Sequence, residues 1–392
     1  MTLSTGLLEL TGRHLMGNYG PPLLAMVRGK GARIWDADGK EYIDFFAGFG
    51  GSGVGGHCHP AIVSAIQAQA GKLLSHGNFF TNAPQIELAK AITGHAFPGK
   101  VFFCHSGAEA AEAALKLARL AAGEGRYKII SFHQCFHGRT MGALSLTPKR
   151  FQKGFEPMLP GNVKVDLGDI QAVRAAVDDE TAAVFVEPIQ GEGGVNIPSA
   201  EFMQALRALC DEKKLLLVCD EVWTAPARTG QWFAYQHCDI TPDVMTLAKA
   251  LGGGVPVGAC VAAAKYADVL GAGSHGCTLG GNPVCAAAGA ACMRLIEEED
   301  LVARAAEKGE QIMGAIRDAK VGPVKQVRGK GMMIGIELDA PARETFLKAM
   351  DRGLLVCYAG QKVLRLAPPL IVSESDLAAG LEILIDVLKQ AG

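Results

Sequence analysis

The sequence predicts an α/β protein whose main sheet is largely parallel. Three observations carry this. Short runs that are apolar throughout recur as KIISF (128–132), AAVFVEP (182–188), LLLVCD (215–220) and GACVAAA (258–264). They lack the alternation of a half-exposed strand and suit strands buried on both faces. Helical patterns separate them, and the end of the chain has a different texture, as if a second, smaller sheet followed the first.

In chain order, GARIWDADGKEYIDF (31–45) reads as a hairpin, two apolar runs around the turn pair Asp38-Gly39. A helix over 108–122 follows Ser106, because Ser106 and Glu109 have capping-box spacing. Further helices are expected over 171–177 and 200–213. In the latter, Phe202, Leu206, Leu209 and Cys210 fall on one stripe. VRGKGMMIGIEL and VLRLAPPL supply strands of the smaller sheet, and a last helix starts near Ser373, paired with Asp376, and runs to Lys389. The expected division is an N-terminal segment (1–54) packing with the small domain, a large domain (55–285) and a small α+β C-terminal domain (286–392).

The 392 residues, 49% hydrophobic and 20% charged, describe a globular chain. A net charge of -2 argues against nucleic acid or an anionic membrane as partner. The 11 cysteines form no C-x-x-C pair, which fits reduced thiols in a cytosolic protein. MTLSTGLLEL lacks the features of a signal peptide, and no apolar run is long enough to span a bilayer. A cytoplasmic location is therefore expected.

Four stretches carry chemistry. In CHSGAEAAEAALKLAR (104–119), Gly107 lets backbone approach closely, and the first amides of the helix point outward at its positive end. That is a phosphate site, or simply a well-capped helix. Asp220 ends a buried strand at its carboxyl end, where α/β proteins bind ligands. It needs a partner: a protonated ring nitrogen, a helix cap or an arginine. Lys249 stands alone in VMTLAKALGGGVPVG (244–258). A desolvated amine there loses its proton readily and can attack a carbonyl to form a Schiff base. The alternative is a snorkelling lysine at a helix end. Arg139 lies in CFHGRT and Arg365 inside the apolar VLRLAPP. Either guanidinium suits a carboxylate ligand or a structural ion pair. Together these stations ask for a ligand with a phosphate, a ring nitrogen that wants a proton, and an aldehyde. Pyridoxal phosphate has all three.

Competing motifs are weaker. His57-Cys58-His59 has no matching second pair for a metal, so no metal site is expected. The glycine-rich stretches fit neither a P-loop nor a dinucleotide fingerprint. His133 and His137 read as loop or core residues rather than as catalysts.

SGAEAAEAALKLAR, FHGRT, EPIQGEGG, DEV, TLAKALGGGVPVG, HGCTLGGNP and RLAPPL, in this order, resemble the class III pyridoxal-phosphate aminotransferases of fold type I. NYG (18–20), GGHCHP (55–60) and PQIELAK (84–90) look most like the acetylornithine aminotransferase branch of arginine biosynthesis. The resemblance implies a seven-stranded-type sheet and a homodimer. It implies that Lys249 binds the cofactor and moves the substrate's proton, and that Asp220 holds the pyridine nitrogen protonated. Val222 and Phe136 would cover the two ring faces. Gly107 and Ala108 would give amides to the phosphate, with Ser106, His137 and Trp223 also in the cofactor's shell. Thr278 would reach the partner's cofactor. Arg365 would hold the α-carboxylate of glutamate or 2-oxoglutarate, Arg139 a carboxylate of the donor, and Glu192 would pair with Arg365. The implied reaction passes an amino group from N-acetylornithine to 2-oxoglutarate. Ornithine, 4-aminobutyrate and other ω-amines are alternative donors, and a cofactor-binding protein without transferase activity is an alternative role.

This chain departs from the family where DEVWTAPARTG replaces DEVQTGxGRTG. Trp223 stands for a glutamine that donates to the cofactor's 3-oxygen, and Ala225 and Ala227 stand for glycines, so a different loop shape is expected. Cys277 and Leu279 replace the commoner Thr and Phe.

Overall fold

The computed structural model describes residues 2–390. The N-terminal helix α1 (Leu3–His14) leads to three strands, β1 (Met26–Lys30), β2 (Arg33–Asp36) and β3 (Glu41–Asp44). β2 and β3 form the expected antiparallel hairpin, turning at Gly39 with a left-handed φ of 88°. β1 adds a further strand that the sequence reading did not assign.

Helices α2 (Pro60–Ala70) and α3 (Ala83–His95) precede the main sheet. Its elements are β4 (Gly99–Cys104), α4 (Gly107–Ala122), β5 (Lys128–Phe132), α5 (Met141–Leu146), β6 (Asn162–Val165), α6 (Ile170–Ala176), β7 (Thr181–Val186), α7 (Ala200–Lys213), β8 (Leu216–Asp220), β9 (Val244–Leu247) and β10 (Gly258–Ala263). The seven strands lie in the order β4-β10-β9-β8-β7-β5-β6. β10 alone runs against its neighbours, pairing antiparallel with both β4 and β9.

The strands are apolar throughout because both faces are covered. Along β7, Val184 and Val186 belong to the cluster that holds Phe202, Met203 and Leu206 of α7 on one side, while Ala183 and Phe185 pack against α4 on the other. Ala111, Ala114 and Ala118 give α4 a thin face, so the helix lies close on the sheet.

Two longer helices follow, α8 (Pro283–Glu298) and α9 (Leu301–Asp318). Then come β11 (Val324–Lys330), β12 (Met333–Leu338), α10 (Ala342–Asp351), β13 (Leu354–Leu355), β14 (Cys357–Ala359), β15 (Val363–Leu366) and α11 (Glu374–Lys389). The stretch VRGKGMMIGIEL is thus a hairpin, β11 and β12, in a second sheet ordered β11-β12-β15-β14. The short β13 pairs in parallel with β3, tying the N-terminal strands to the C-terminal part of the chain. Ser373 caps α11 by accepting from the Asp376 amide at 3.1 Å. The Asp376 carboxylate itself receives Arg33 at 2.8 Å, which makes it a tie between the N-terminal hairpin and α11.

Candidate active site

Five parallel strands point their carboxyl ends to one place, and each delivers a residue there. β4 ends in Cys104 and passes to Ser106, whose hydroxyl accepts from the Glu109 amide at 3.2 Å and starts α4. The Glu109 carboxylate answers by accepting from the His105 amide at 2.8 Å, one residue before the usual capping-box donor. Loops after β5 and β7 bring Phe136, His137, Arg139 and Glu187. β8 ends in Asp220, followed by Val222 and Trp223, and Lys249 opens a 3-10 turn just after β9. These residues line a cavity of about 560 Å³ with Gly107 and Ala108 at its helix end.

The floor is built by close approach. A Cβ on Gly107 would come within 2.9 Å of the Val222 methyls, so only glycine lets the first amides of α4 sit this near Val222. Unpaired amides at the positive end of a sixteen-residue helix favour an anion.

Asp220 is buried and its partner is His137, not an arginine. The His137 Nδ1 and Asp220 Oδ2 lie 2.7 Å apart, and Oδ1 accepts from the Val222 amide at 3.1 Å. Burial alone would lower the His137 pKa, but Cys135 and Asp220 lift it to about 10. His137 therefore sets a positive charge beside the Asp220 carboxylate. Glu187 accepts from the Phe136 amide at 3.0 Å, and burial, aided by Asp220, pushes its pKa well up. The adjacent Glu221 faces the other way, accepting from the amides of Ala234 and Tyr235 at 2.9 and 2.8 Å and so anchoring the loop beyond β8.

Lys249 has a left-handed φ of 45°, a conformation that costs a side-chain-bearing residue about 1 kcal/mol or more. Its amine end is desolvated, which lowers its pKa from 10.5 to about 8 against the pull of Glu192. Its Nζ lies 4.5 Å from the centroid of the Trp223 ring, and the Arg365 guanidinium carbon lies 4.4 Å from that ring. The indole is held between Gly50 and Gly191, and its Nε1 is buried without a partner within the chain. Trp223 thus lies against both Lys249 and Arg365 and keeps one donor unused.

Arg365 and Glu192 meet as a pair. Arg365 is buried in β15, where its Nη1 forms an ion pair with Glu192 Oε1 at 2.9 Å and donates to the Gly191 carbonyl at 2.7 Å. Arg139 is held by aromatic rings, 4.3 Å from Phe151 and 5.5 Å from Phe136, and its guanidinium edge remains open to a ligand. Thr278 is exposed and does not line this chain's cavity. Ala227, expected to reshape its loop, adopts a glycine-like φ of 63°. His57 bonds Asp44 at 2.8 Å and His59 caps α2, so both have structural tasks, and His133 is an exposed loop residue.

Sequence reasoning missed Glu187 and Tyr19 as cavity residues, and it missed the pairing of His137. Glu187 follows the carboxyl end of β7 as Asp220 ends β8, so the same rule could have found it. His137 gave no sign of its pairing with Asp220, a contact across 83 residues. Tyr19, in the NYG motif, lies at the exposed edge of the cavity on a short turn of the N-terminal segment, and the motif did not mark it as a cavity residue.

The residues present fit pyridoxal phosphate. There is an anion cradle that a Cβ would close, a buried carboxylate for a ring nitrogen, an amine poised near neutrality and an unused indole N–H. Comparison with known proteins agrees. The family described as "Aminotransferase class-III" matches residues 16–388. An acetylornithine aminotransferase of Caldanaerobacter subterraneus subsp. tengcongensis is 45% identical over 386 residues, covering 96% of this chain and 98% of that one. One from Mycolicibacterium smegmatis is 47% identical over 382 residues, covering 96% of each. Among solved structures, the ornithine aminotransferase from Toxoplasma gondii ME49 superposes with a TM-score of 0.95 at 32% identity, covering 100% of this chain and 96% of that one.

Proposed function

This chain belongs to the class III aminotransferases, and from that premise we propose that it moves the terminal amine of N-acetylornithine to 2-oxoglutarate, giving glutamate. The observation that carries the reading is the common cavity of Lys249, Asp220 and the α4 amides. The choice of donor rests on the curated relatives, acetylornithine aminotransferases that are 41–47% identical over nearly the whole chain. Residues 55–285 carry the cofactor pocket in this reading, and 286–392 bring Arg365, with 1–54 packed beside them.

Pyridoxal phosphate, when bound, supplies an aldehyde that takes up amines and a ring that withdraws electrons from the carbon beside them. The chain's residues do the rest. The α4 amides at Gly107 and Ala108, with Ser106, hold the phosphate. Val222 and Phe136 confine the ring. Asp220, steadied by His137, would hold a proton on the ring nitrogen. Lys249 reacts as the neutral amine, then carries a proton from the substrate carbon at its Nζ. Arg139 binds the donor's carboxylate and Arg365 the α-carboxylate of 2-oxoglutarate. The Trp223 N–H stands in for the family's glutamine as a donor to the cofactor.

Glu192 decides which substrates Arg365 sees. While the pair is closed, Arg365 is neutralised and a substrate with one carboxylate is favoured; when Glu192 yields, a second carboxylate is accepted. Glu192→Ala is expected to raise kcat/KM for the glutamate half-reaction relative to N-acetylornithine by up to about tenfold, the weight of a part-exposed ion pair. An unchanged ratio in paired half-reaction assays would remove Glu192 from this role.

The Lys249 pKa of about 8 sets a pH dependence. Cofactor-free enzyme should take up pyridoxal phosphate roughly tenfold faster at about pH 9 than at about pH 7, because the neutral amine is the reactive form. Stopped-flow absorbance measures this, and a flat profile counts against it. Linkage has the same sign. The folded pKa lies below the unfolded value of 10.5, so the unfolded chain binds more protons between the two, and the cofactor-free fold gains stability as pH rises from about 8 towards 10.5.

A homodimer accounts for the surface beside Thr278. Phe79 is fully exposed, and Phe80, Leu74 and Leu279 are 70%, 62% and 47% exposed. Asn78 donates to the Cys277 carbonyl at 2.6 Å and Asn282 to the Leu74 carbonyl at 2.8 Å, so these segments share one face. An apolar face of this kind suits a partner subunit, to whose cofactor Thr278 would reach. The free state of all eleven cysteines supports a cytoplasmic setting, and among the described residues no helix is long and apolar enough to cross a membrane. The reading is tested by a panel of amines, N-acetylornithine, ornithine and 4-aminobutyrate, each followed with 2-oxoglutarate. Turnover fastest with N-acetylornithine supports it; turnover with none overturns it.

A further inference from the structure

His105, Glu109 and Cys277 converge just outside the phosphate end of the cavity. Each offers one ligand atom, and these atoms lie within 4.8 Å of one another. The Cys277 Sγ is 3.2 Å from the His105 Nε2, a contact spanning 172 residues. All three side chains are half-buried. His105 and Glu109 sit at the start of α4, and Cys277 comes from the loop that precedes α8, so the tertiary fold alone brings them together.

We propose that these three side chains form a binding site for a zinc ion, or a similar borderline-soft divalent cation, beside the phosphate cradle. Imidazole nitrogen, thiolate sulfur and carboxylate oxygen are the three donor types zinc accepts. In tetrahedral zinc, a sulfur and a nitrogen ligand stand roughly 3.5 Å apart. The Cys277–His105 contact is already near that separation, and a Glu109 oxygen lies within 4.8 Å of both. Three protein ligands leave a fourth position for water. Glu109 reaches the site from the first turn of α4, where its Oε2 also holds the His105 amide and the Ser106 hydroxyl. That brace fixes the carboxylate before any cation arrives. The Cys277 thiol gives its proton to solvent as the metal–sulfur bond forms, and burial, followed by Glu109, has raised the pKa that the cation must overcome.

The position gives the site a consequence. His105 lines the cavity and Ser106 follows it directly, so a divalent charge here adds to the helix end in attracting a phosphate. Cation and phosphate affinities are then coupled, each tightening the other.

The test uses the cofactor-loaded enzyme, equilibrated with zinc, cleared of free metal and measured for zinc per chain. Cadmium provides a second probe through the ultraviolet charge-transfer band of a metal-bound thiolate. One zinc per chain is expected, lost in both Cys277→Ser and His105→Gln and kept in Cys58→Ser, which removes the exposed thiol between His57 and His59. Thermal melts confirm that the variants fold. No zinc on the wild-type enzyme, or undiminished binding in either Cys277→Ser or His105→Gln, overturns the proposal and leaves the triad a hydrogen-bonded cluster only.

Discussion

Lys249→Ala is expected to lower turnover of N-acetylornithine by at least about 10⁴-fold, equal to roughly 5.5 kcal/mol of barrier, while leaving the fold intact. Both halves follow from the geometry. The amine combines a pKa of about 8 with a place in the cavity shared by Asp220 and the α4 amides, and the described residues include no second lysine lining that cavity. A role so concentrated has no substitute. Structurally, the amine forms no salt bridge to lose; it faces the Trp223 ring, a contact of about 1 kcal/mol or less. Melting temperature should therefore move by only a few degrees. Lys249→Arg should be equally inactive, since a guanidinium keeps its proton at every pH of interest. Steady-state assays beside thermal melts make the comparison. A large loss of stability with modest loss of turnover would turn Lys249 into a packing residue.

Asp220→Asn should cost about 10³-fold in kcat, close to 4 kcal/mol, because an amide cannot hold a positive charge on a ring nitrogen. Here stability is expected to fall as well. Asp220 and His137 are a buried charge pair at 2.7 Å, and His137 Nε2 already lacks a partner within the chain. Removing the anion leaves an imidazolium uncompensated, a loss of about 3–5 kcal/mol unless the histidine gives up its proton. That release is itself measurable. The His137 pKa, about 10 beside the carboxylate, should drop in the variant, because Cys135 alone is then left to oppose burial. Histidine NMR titration of wild type and variant reads this directly. An unmoved His137 would mean that Asp220 is not its charge partner, and the electrostatic account of the ring-nitrogen site would fail with it.

Elements whose burial is local in cause were legible in the residues. KIISF and the helix over 200–213 appear with the expected bounds, Lys128–Phe132 and Ala200–Lys213, and the neighbouring strands differ by a residue or two at their ends. Continuous apolar runs follow from a sheet covered on both faces, and a stripe at helical spacing follows from one buried side. β1, β13 and β14 were not legible. They are short, partly exposed and defined by what they pair with rather than by their own composition.

The site divides the same way. Chain chemistry alone marked Lys249, Asp220, Arg139 and Arg365, each a polar group out of pattern with its surroundings, and Ser106 and Gly107 through cap and close-approach logic. Only the fold decided which groups face each other. Asp220 has a histidine rather than an arginine, Trp223 lies against Lys249 and Arg365, and His105 meets Cys277. A residue type and its neighbours state what a side chain can do, because propensity and burial are local. Partnership is decided by strand order and by loops that meet across tens to hundreds of residues, and no short stretch of chain contains that information.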